Sequence, residues 1–161
     1  MPFSLLQLSV PELQDLAASR IPPSLAPRLV EDALPPPFVA ARTLELAAAG
    51  HPPPWSTSFL IVRGSDHRIV GGCGFKAAPE NGRVEVGYGV APCAQGQGAA
   101  TAALRMLLAK ASEAGVEEVL AEVVPGNHAS VRVVEKVGFT QAGSRMNKAN
   151  ELVIQWVRRE A

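Results

Sequence analysis

Gln95-Gly-Gln-Gly-Ala-Ala100 is the segment best suited to chemistry. It follows an apolar run that ends in Gly87-Tyr-Gly-Val-Ala-Pro92, and it opens a helical pattern. Gly96 and Gly98 let the backbone approach a ligand with no Cβ in the way. A helix beginning here leaves its first N–H groups unpaired and converging on one spot. Such a spot attracts anions, phosphate above all. The segment therefore reads as a pyrophosphate cradle formed by Gln95, Gly96, Gln97, Gly98, Ala99 and Ala100.

Two common phosphate motifs fit poorly. A dinucleotide-binding fingerprint needs a third glycine where Thr101 stands, early in a long βαβ array. A P-loop needs Gly-Lys-Ser/Thr, and the next lysine is Lys110. The pattern Gln/Arg-x-x-Gly-x-Gly/Ala does fit, through Gln95, Gly98 and Ala100. Further on, Asn127-His-Ala-Ser130 leads into a short helix ending Glu135-Lys-Val-Gly-Phe139. The two motifs, in this order and separation, resemble the signatures of the GNAT superfamily of N-acetyltransferases. The resemblance is specific from about Val84 to Phe139.

That resemblance implies acetyl-coenzyme A as cosubstrate, its pyrophosphate held by the glycine loop. It implies a splay between strands four and five that admits the pantetheine arm, which pairs with backbone near Val90 and meets Asn127. It also implies an oxyanion donor at the N–H near Val90. Gly87-Tyr88-Gly89 suits a bulge at the splay, since glycine within a strand often marks one.

Acetyl transfer to an amine needs a base, because alkyl amines are largely protonated at neutral pH. Glu85 is the leading candidate, an ionisable residue inside the apolar run Val84 to Val90. It reads equally as a strand residue paired with Arg83 or Lys76. Glu122 is the rival, with a structural anchor as its simpler role. Glu135 beside Lys136 reads as a surface ion pair, and His128 as solvent-facing. Many relatives carry an acid tyrosine immediately before Glu-Lys-x-Gly-Phe, where this chain has Val134. The sole tyrosine, Tyr88, lies in strand four and does not stand at that position. This departure resembles the branch of ribosomal-protein N-terminal acetyltransferases, and Ser130 becomes the candidate acid, with helix capping as its plainer role.

The elements that must position these groups follow from periodicity. Phe3–Leu8 reads as a strand and Pro11–Ala18 as a helix. Residues 19–37, rich in proline, read as a loop around a short helix at Ala26–Ala33. Phe38–Ala49 reads as a helix ended by Gly50. Thr57–Arg63, Ile69–Lys76 and Gly82–Val90 read as strands. Apolar spacing at Ala100, Ala103, Leu104, Leu107, Leu108 and Ala111 marks a helix capped by Gly115. Glu118–Val124 and Glu151–Arg158 read as strands, with Arg145–Asn150 a loop before the last. The expected fold is a single α/β (α+β) domain over residues 1–161. Its mixed, mostly antiparallel sheet is splayed between strands four and five and flanked by helices.

Composition bounds the rest. The chain has 161 residues, enough for one well-buried core, and its 15 Lys+Arg balance 15 Asp+Glu. Nothing therefore pulls it toward nucleic acid or an anionic membrane. No apolar run is long enough to span a bilayer and no secretory signal opens the chain, so a cytoplasmic enzyme is expected. Cys73 and Cys93 match no zinc spacing; free, buried thiols are expected, and no metal. The acceptor, a small-molecule amine or a peptide N-terminus, is expected near residues 19–37, His51–Trp55 and Arg145–Asn150. Glu31, Asp32 and Trp55 are its candidate contacts. Family habit adds a homodimer. The competing expectation is a catalytically silent acyl-coenzyme A sensor on the same fold.

Overall fold

The computed structural model describes residues 2–160. β1 (Phe3–Gln7), β2 (Ser58–Arg63), β3 (Ile69–Phe75), β4 (Arg83–Val90), β5 (Glu118–Val123), β6 (Thr140–Met146) and β7 (Leu152–Arg159) form one sheet in the order β1-β2-β3-β4-β5-β7-β6. Every pairing is antiparallel except β4 with β5. The helices are α1 (Val10–Ala17), α2 (Pro37–Ala48), α3 (Ala99–Glu113) and α4 (His128–Val137).

At β2 and β3 the sheet is buried on both faces, which is why β2 reads as a continuous apolar run rather than an alternating one. Phe59 and Ile61 join a core with Leu104, Leu107 and Val134 of α3 and α4. Leu60 and Val62, pointing the other way, join Leu13, Leu16 and Ala40 of α1 and α2. Local chemistry fixes the helix starts. Ser9 and Glu12 form a reciprocal capping box at α1. α3 and α4 end at Gly115 and Gly138, whose φ values of +80° and +99° favour glycine.

Four expectations need correction. The helix expected at Ala26–Ala33 is a single 3-10 turn, Ala26–Arg28, because Leu29 and Val30 instead bond in extended form to Ile69. No strand is expected at Thr140–Met146, yet β6 forms there and takes Arg145 and Met146 from the expected loop; its exposed residues carry no apolar alternation, and only its ladder with β7 makes it a strand. Gly87–Gly89 hold no bulge, since β3 and β4 keep one register from Phe75↔Val86 to Gly71↔Val90. Both cysteines are free, but only Cys73 is buried; Cys93 is exposed.

The splay itself is present. β4 pairs with β5 only over Arg83–Glu85, ending at Glu85↔Leu120. Beyond that point β4 stays bonded to β3 and β5 to β7, so two strand edges face each other without a ladder.

Candidate active site

Val90 leads from β4 into a 3-10 turn at Pro92–Ala94 and then into the glycine loop. Gly96 and Gly98 have φ of +80° and +90°, and an added Cβ at either would meet nothing within 4 Å. Gly98 is the N-cap of α3 and offers no side chain to its first N–H groups, which stay free for a ligand. Gln95 Nε2 donates to the Val90 carbonyl at 3.3 Å, tying the loop to the strand end. Arg63, on β2, donates from Nη1 to Gln97 Oε1 at 2.9 Å while its other edge grips Asp66. Sequence reasoning missed Arg63 because 34 residues separate it from Gln97.

A cavity of about 440 Å³ opens beside this loop, lined by Gln95, Gly96, Gly98, Ala99 and Ala100, by Val90, and by Asn127, Ser130, Arg132 and Lys136. Free amides, bare glycines and two cations of α4 suit a pyrophosphate-bearing ligand such as coenzyme A. Asn127 is the N-cap of α4, its Oδ1 accepting from the Ser130 N–H at 3.2 Å. Ser130 therefore does not cap the helix, and its hydroxyl is left for other work. In the β3–β4 ladder the Ala91 N–H bonds to Val70 and the Lys76 N–H to Glu85. By the alternation of an antiparallel pair, the Tyr88 and Val90 N–H groups point away from β3, into the splay.

A second cavity, of about 460 Å³, lies between α2 with the 32–36 segment and the strands β3, β4 and β5. The two share Tyr88, Gly89, Val90, Asn127 and Ser130. The Tyr88 hydroxyl is buried at this junction and makes no hydrogen bond of regular geometry among the described residues. Burial pushes its phenol above the ordinary value, and the Ser130 hydroxyl pulls the other way. Its linear position hid it; the fold carries it across the splay to α4.

The carboxylates sit on the same sheet face. The Lys76 ammonium lies 2.8 Å from Glu85 Oε2, off the angle of a regular hydrogen bond. Lys76 lines the second cavity and Glu85 stands behind it, at the margin of another recess lined by Glu80, Arg83 and Glu118. Glu122 lines the second cavity directly. It accepts from Arg145 Nη2 at 2.7 Å and from Gln155 Nε2 at 3.1 Å. Those hydrogen bonds, with Arg145 the largest influence, hold its carboxyl below the usual range against the opposing effect of burial.

The remaining candidates separate cleanly. Glu135 and Lys136 make no ion pair among the described residues, and His128 is exposed. Val134 is fully buried core. Trp55 is core as well, edge-on to Phe75 at 4.8 Å. Asp32 lines the second cavity, whereas Glu31 does not. Burial pushes the Cys73 thiol up to about 12, which makes it inert. Among the described residues no group of three metal-ligating side chains exists, and no helix is long and apolar enough to cross a membrane.

Residues 12–140 match the family model of the acetyltransferase (GNAT) domain. No curated protein matches the chain. Among solved structures, a ribosomal-protein-S5-alanine acetyltransferase from Vibrio fischeri aligns over 99% of this chain and 93% of its own, at 18% identity and TM-score 0.69. A spermidine N-acetyltransferase mutant from Vibrio cholerae aligns over 98% and 94%, at 15% identity and TM-score 0.67. An aminoglycoside acetyltransferase in complex with coenzyme A aligns over 98% and 95%, at 14% identity and TM-score 0.66. At these identities the neighbours speak for the fold, and the family model, spanning most of the sequence, speaks for the family. The chain belongs to the GNAT acetyltransferase family.

Proposed function

We propose that this protein is an N-acetyltransferase that moves the acetyl group of acetyl-coenzyme A to a primary amine by direct attack in a ternary complex. The observation that carries the reading is the meeting of two cavities at Tyr88, Gly89, Val90, Asn127 and Ser130. One is built for a pyrophosphate and an extended arm, the other for a second molecule. Acetyl-coenzyme A supplies the activated acetyl thioester when bound. The loop from Gln95 to Ala100 holds its pyrophosphate, and Asn127 with the free edge at Val90 aligns its arm as an added strand does. The Val90 N–H, turned into the splay, stabilises negative charge on the carbonyl oxygen.

Glu85 is the proposed base, acting through water past Lys76. Its one ionic partner leaves lone pairs open. Glu122, by contrast, is saturated by Arg145 and Gln155, and its lowered proton affinity makes it the poorer acceptor. The amine nitrogen bonds to the acetyl carbon as the carbon–sulfur bond breaks. The amine's proton passes to Glu85, and the thiolate takes a proton from Ser130, from the neighbouring Tyr88 or from water. A silent acyl-coenzyme A sensor needs only the first cavity, so the second favours an enzyme.

The test is release of free thiol from acetyl-coenzyme A across a panel of amines and peptides. Turnover of any amine, lost in Glu85→Gln, is expected. Tight coenzyme A binding with no turnover on the whole panel would return the sensor reading.

A further inference from the structure

The second cavity has a bare floor. Gly72 and Gly74 of β3 stand directly opposite Gly89 and Gly87 of β4, so four adjacent positions on one face carry no side chain. The protein itself does not require all of them. None has the positive φ that favours glycine. A Cβ at Gly89 would meet nothing within 4 Å, and those at Gly72 and Gly74 would make ordinary contacts at 3.4 Å and 3.6 Å. What Gly72, Gly74 and Gly89 provide is room, whereas the Lys76 stem already lies over Gly87, its Cε 3.1 Å from where a Cβ would stand. A floor of this kind, under about 460 Å³, takes a bulky body rather than a thin alkyl chain.

Charge sets the second constraint. Four charged residues line the cavity: Asp32, Arg42, Lys76 and Glu122. Lys76 is paired with Glu85, and Glu122 with Arg145. Arg42 makes no ion pair among the described residues, although it is half-buried. Its guanidinium carbon lies 5.8 Å from the centroid of Phe38, one turn earlier on α2, which is 64% exposed at the cavity margin. A polycation needs several uncompensated carboxylates. Among the described residues Asp32 is the sole lining carboxylate without an ion pair, and the charge of Arg42 offsets its own. An unpaired guanidinium presents a fork that matches a carboxylate.

Resting on the acetyl-transfer reading above, we propose that the acceptor is a zwitterionic monoamine of amino-acid type. Its apolar body lies on the glycine floor against Phe38, and its carboxylate is held by Arg42. Polyamines and other polycations are poor acceptors.

Matched pairs test this. L-phenylalanine and L-leucine are compared with phenethylamine and isopentylamine, which lack only the carboxylate, and with spermidine. Acetyl transfer is followed by thiol release. Binding is followed separately by calorimetry on the coenzyme A-saturated protein. A charge-assisted hydrogen bond of about 1.5–3 kcal/mol predicts a preference of about 10- to 150-fold for the carboxylate-bearing member of each pair. Arg42→Gln should collapse that ratio toward one, Arg42→Lys should keep part of it, and coenzyme A affinity should not move in either. Arg42-dependent binding of an amino acid without turnover would uphold the acceptor class and overturn acetyl transfer. Equal or better use of spermidine or the decarboxylated amines, an unchanged ratio in Arg42→Gln, or no binding by any probe would overturn the acceptor class.

Discussion

The glycine-loop cleft and the second cavity meet at five residues, yet they are built differently. The cleft is mostly backbone: the free amides of α3, two glycines at positive φ and the open edge of β4. The cavity is mostly placement. Its walls come from residues 32–42, 58–59, 72–76, 86–90 and 121–130, and its floor is an absence of side chains. A backbone site depends on a short run of sequence and tolerates little change there. A site of scattered side chains can be retuned one residue at a time.

The sharpest way to break this contrast is Gly98→Val. At φ +90° a β-branched residue is strained by about 1–3 kcal/mol. Its side chain also occupies the approach of a phosphate. Coenzyme A affinity should fall on the order of 100-fold, read by calorimetry. The Cβ meets no protein atom, so the fold should survive. Unchanged affinity in a folded variant would mean that the pyrophosphate lies elsewhere.

The next effect tests the proposed base, a carboxylate that lies outside both regions behind Lys76. Glu85→Gln keeps shape and removes proton acceptance, so turnover should drop by about 10²-fold or more with coenzyme A affinity nearly intact. The deficit should shrink as pH rises toward the amine's own pKa. Glu122→Gln should act on stability instead. Because the folded protein holds the Glu122 carboxyl below its unfolded value, Glu122 stabilises the protein above that unfolded value, about 4.3. This contribution is lost as pH falls through the folded value. Denaturant melts between pH 7 and pH 3 should show wild type losing more stability on acidification than Glu122→Gln. If Glu122→Gln shows the kinetic defect and Glu85→Gln does not, the two carboxylates exchange roles.

The same contrast explains what the sequence revealed. The glycine loop and the Asn127–Phe139 helix were legible because their chemistry is local: a turn, a helix start, a cap. Most elements were legible from apolar periodicity, and β5 and β7 were found within a residue or two of their ends. β6 was not, because its seven residues are exposed and only pairing with β7 makes them a strand. Arg42, Arg63 and Tyr88 were not read as site residues because each meets its partners across the fold. The glycine floor was invisible for a related reason. Gly72, Gly74, Gly87 and Gly89 become one surface only when the β3–β4 register brings them side by side. Glycine within a strand suggests a bulge at Gly87 and Gly89, and only the unbroken β3–β4 register rules one out.

The smallest effect concerns the junction's hydroxyls. A thiol has a pKa of about 8.5, so its thiolate is a tolerable leaving group near neutral pH. A dedicated acid then contributes little where water reaches the sulfur. Ser130→Ala should lower turnover by less than about tenfold, short of the usual contribution of a positioned acid. Tyr88→Phe keeps the ring that walls both cavities and removes a hydroxyl that makes no hydrogen bond of regular geometry. It should cost no more than Ser130→Ala. Val134→Tyr should give no large gain, because Val134 is fully buried and a phenol there must displace core before it can reach the splay. Steady-state rates at saturating acetyl-coenzyme A check all three, once an acceptor is in hand. A collapse in either hydroxyl variant, with folding and coenzyme A binding intact, would show that the junction carries a true proton donor. If only the double variant collapses, the two adjacent hydroxyls substitute for each other, and the donor that Val134 cannot supply is shared between β4 and α4.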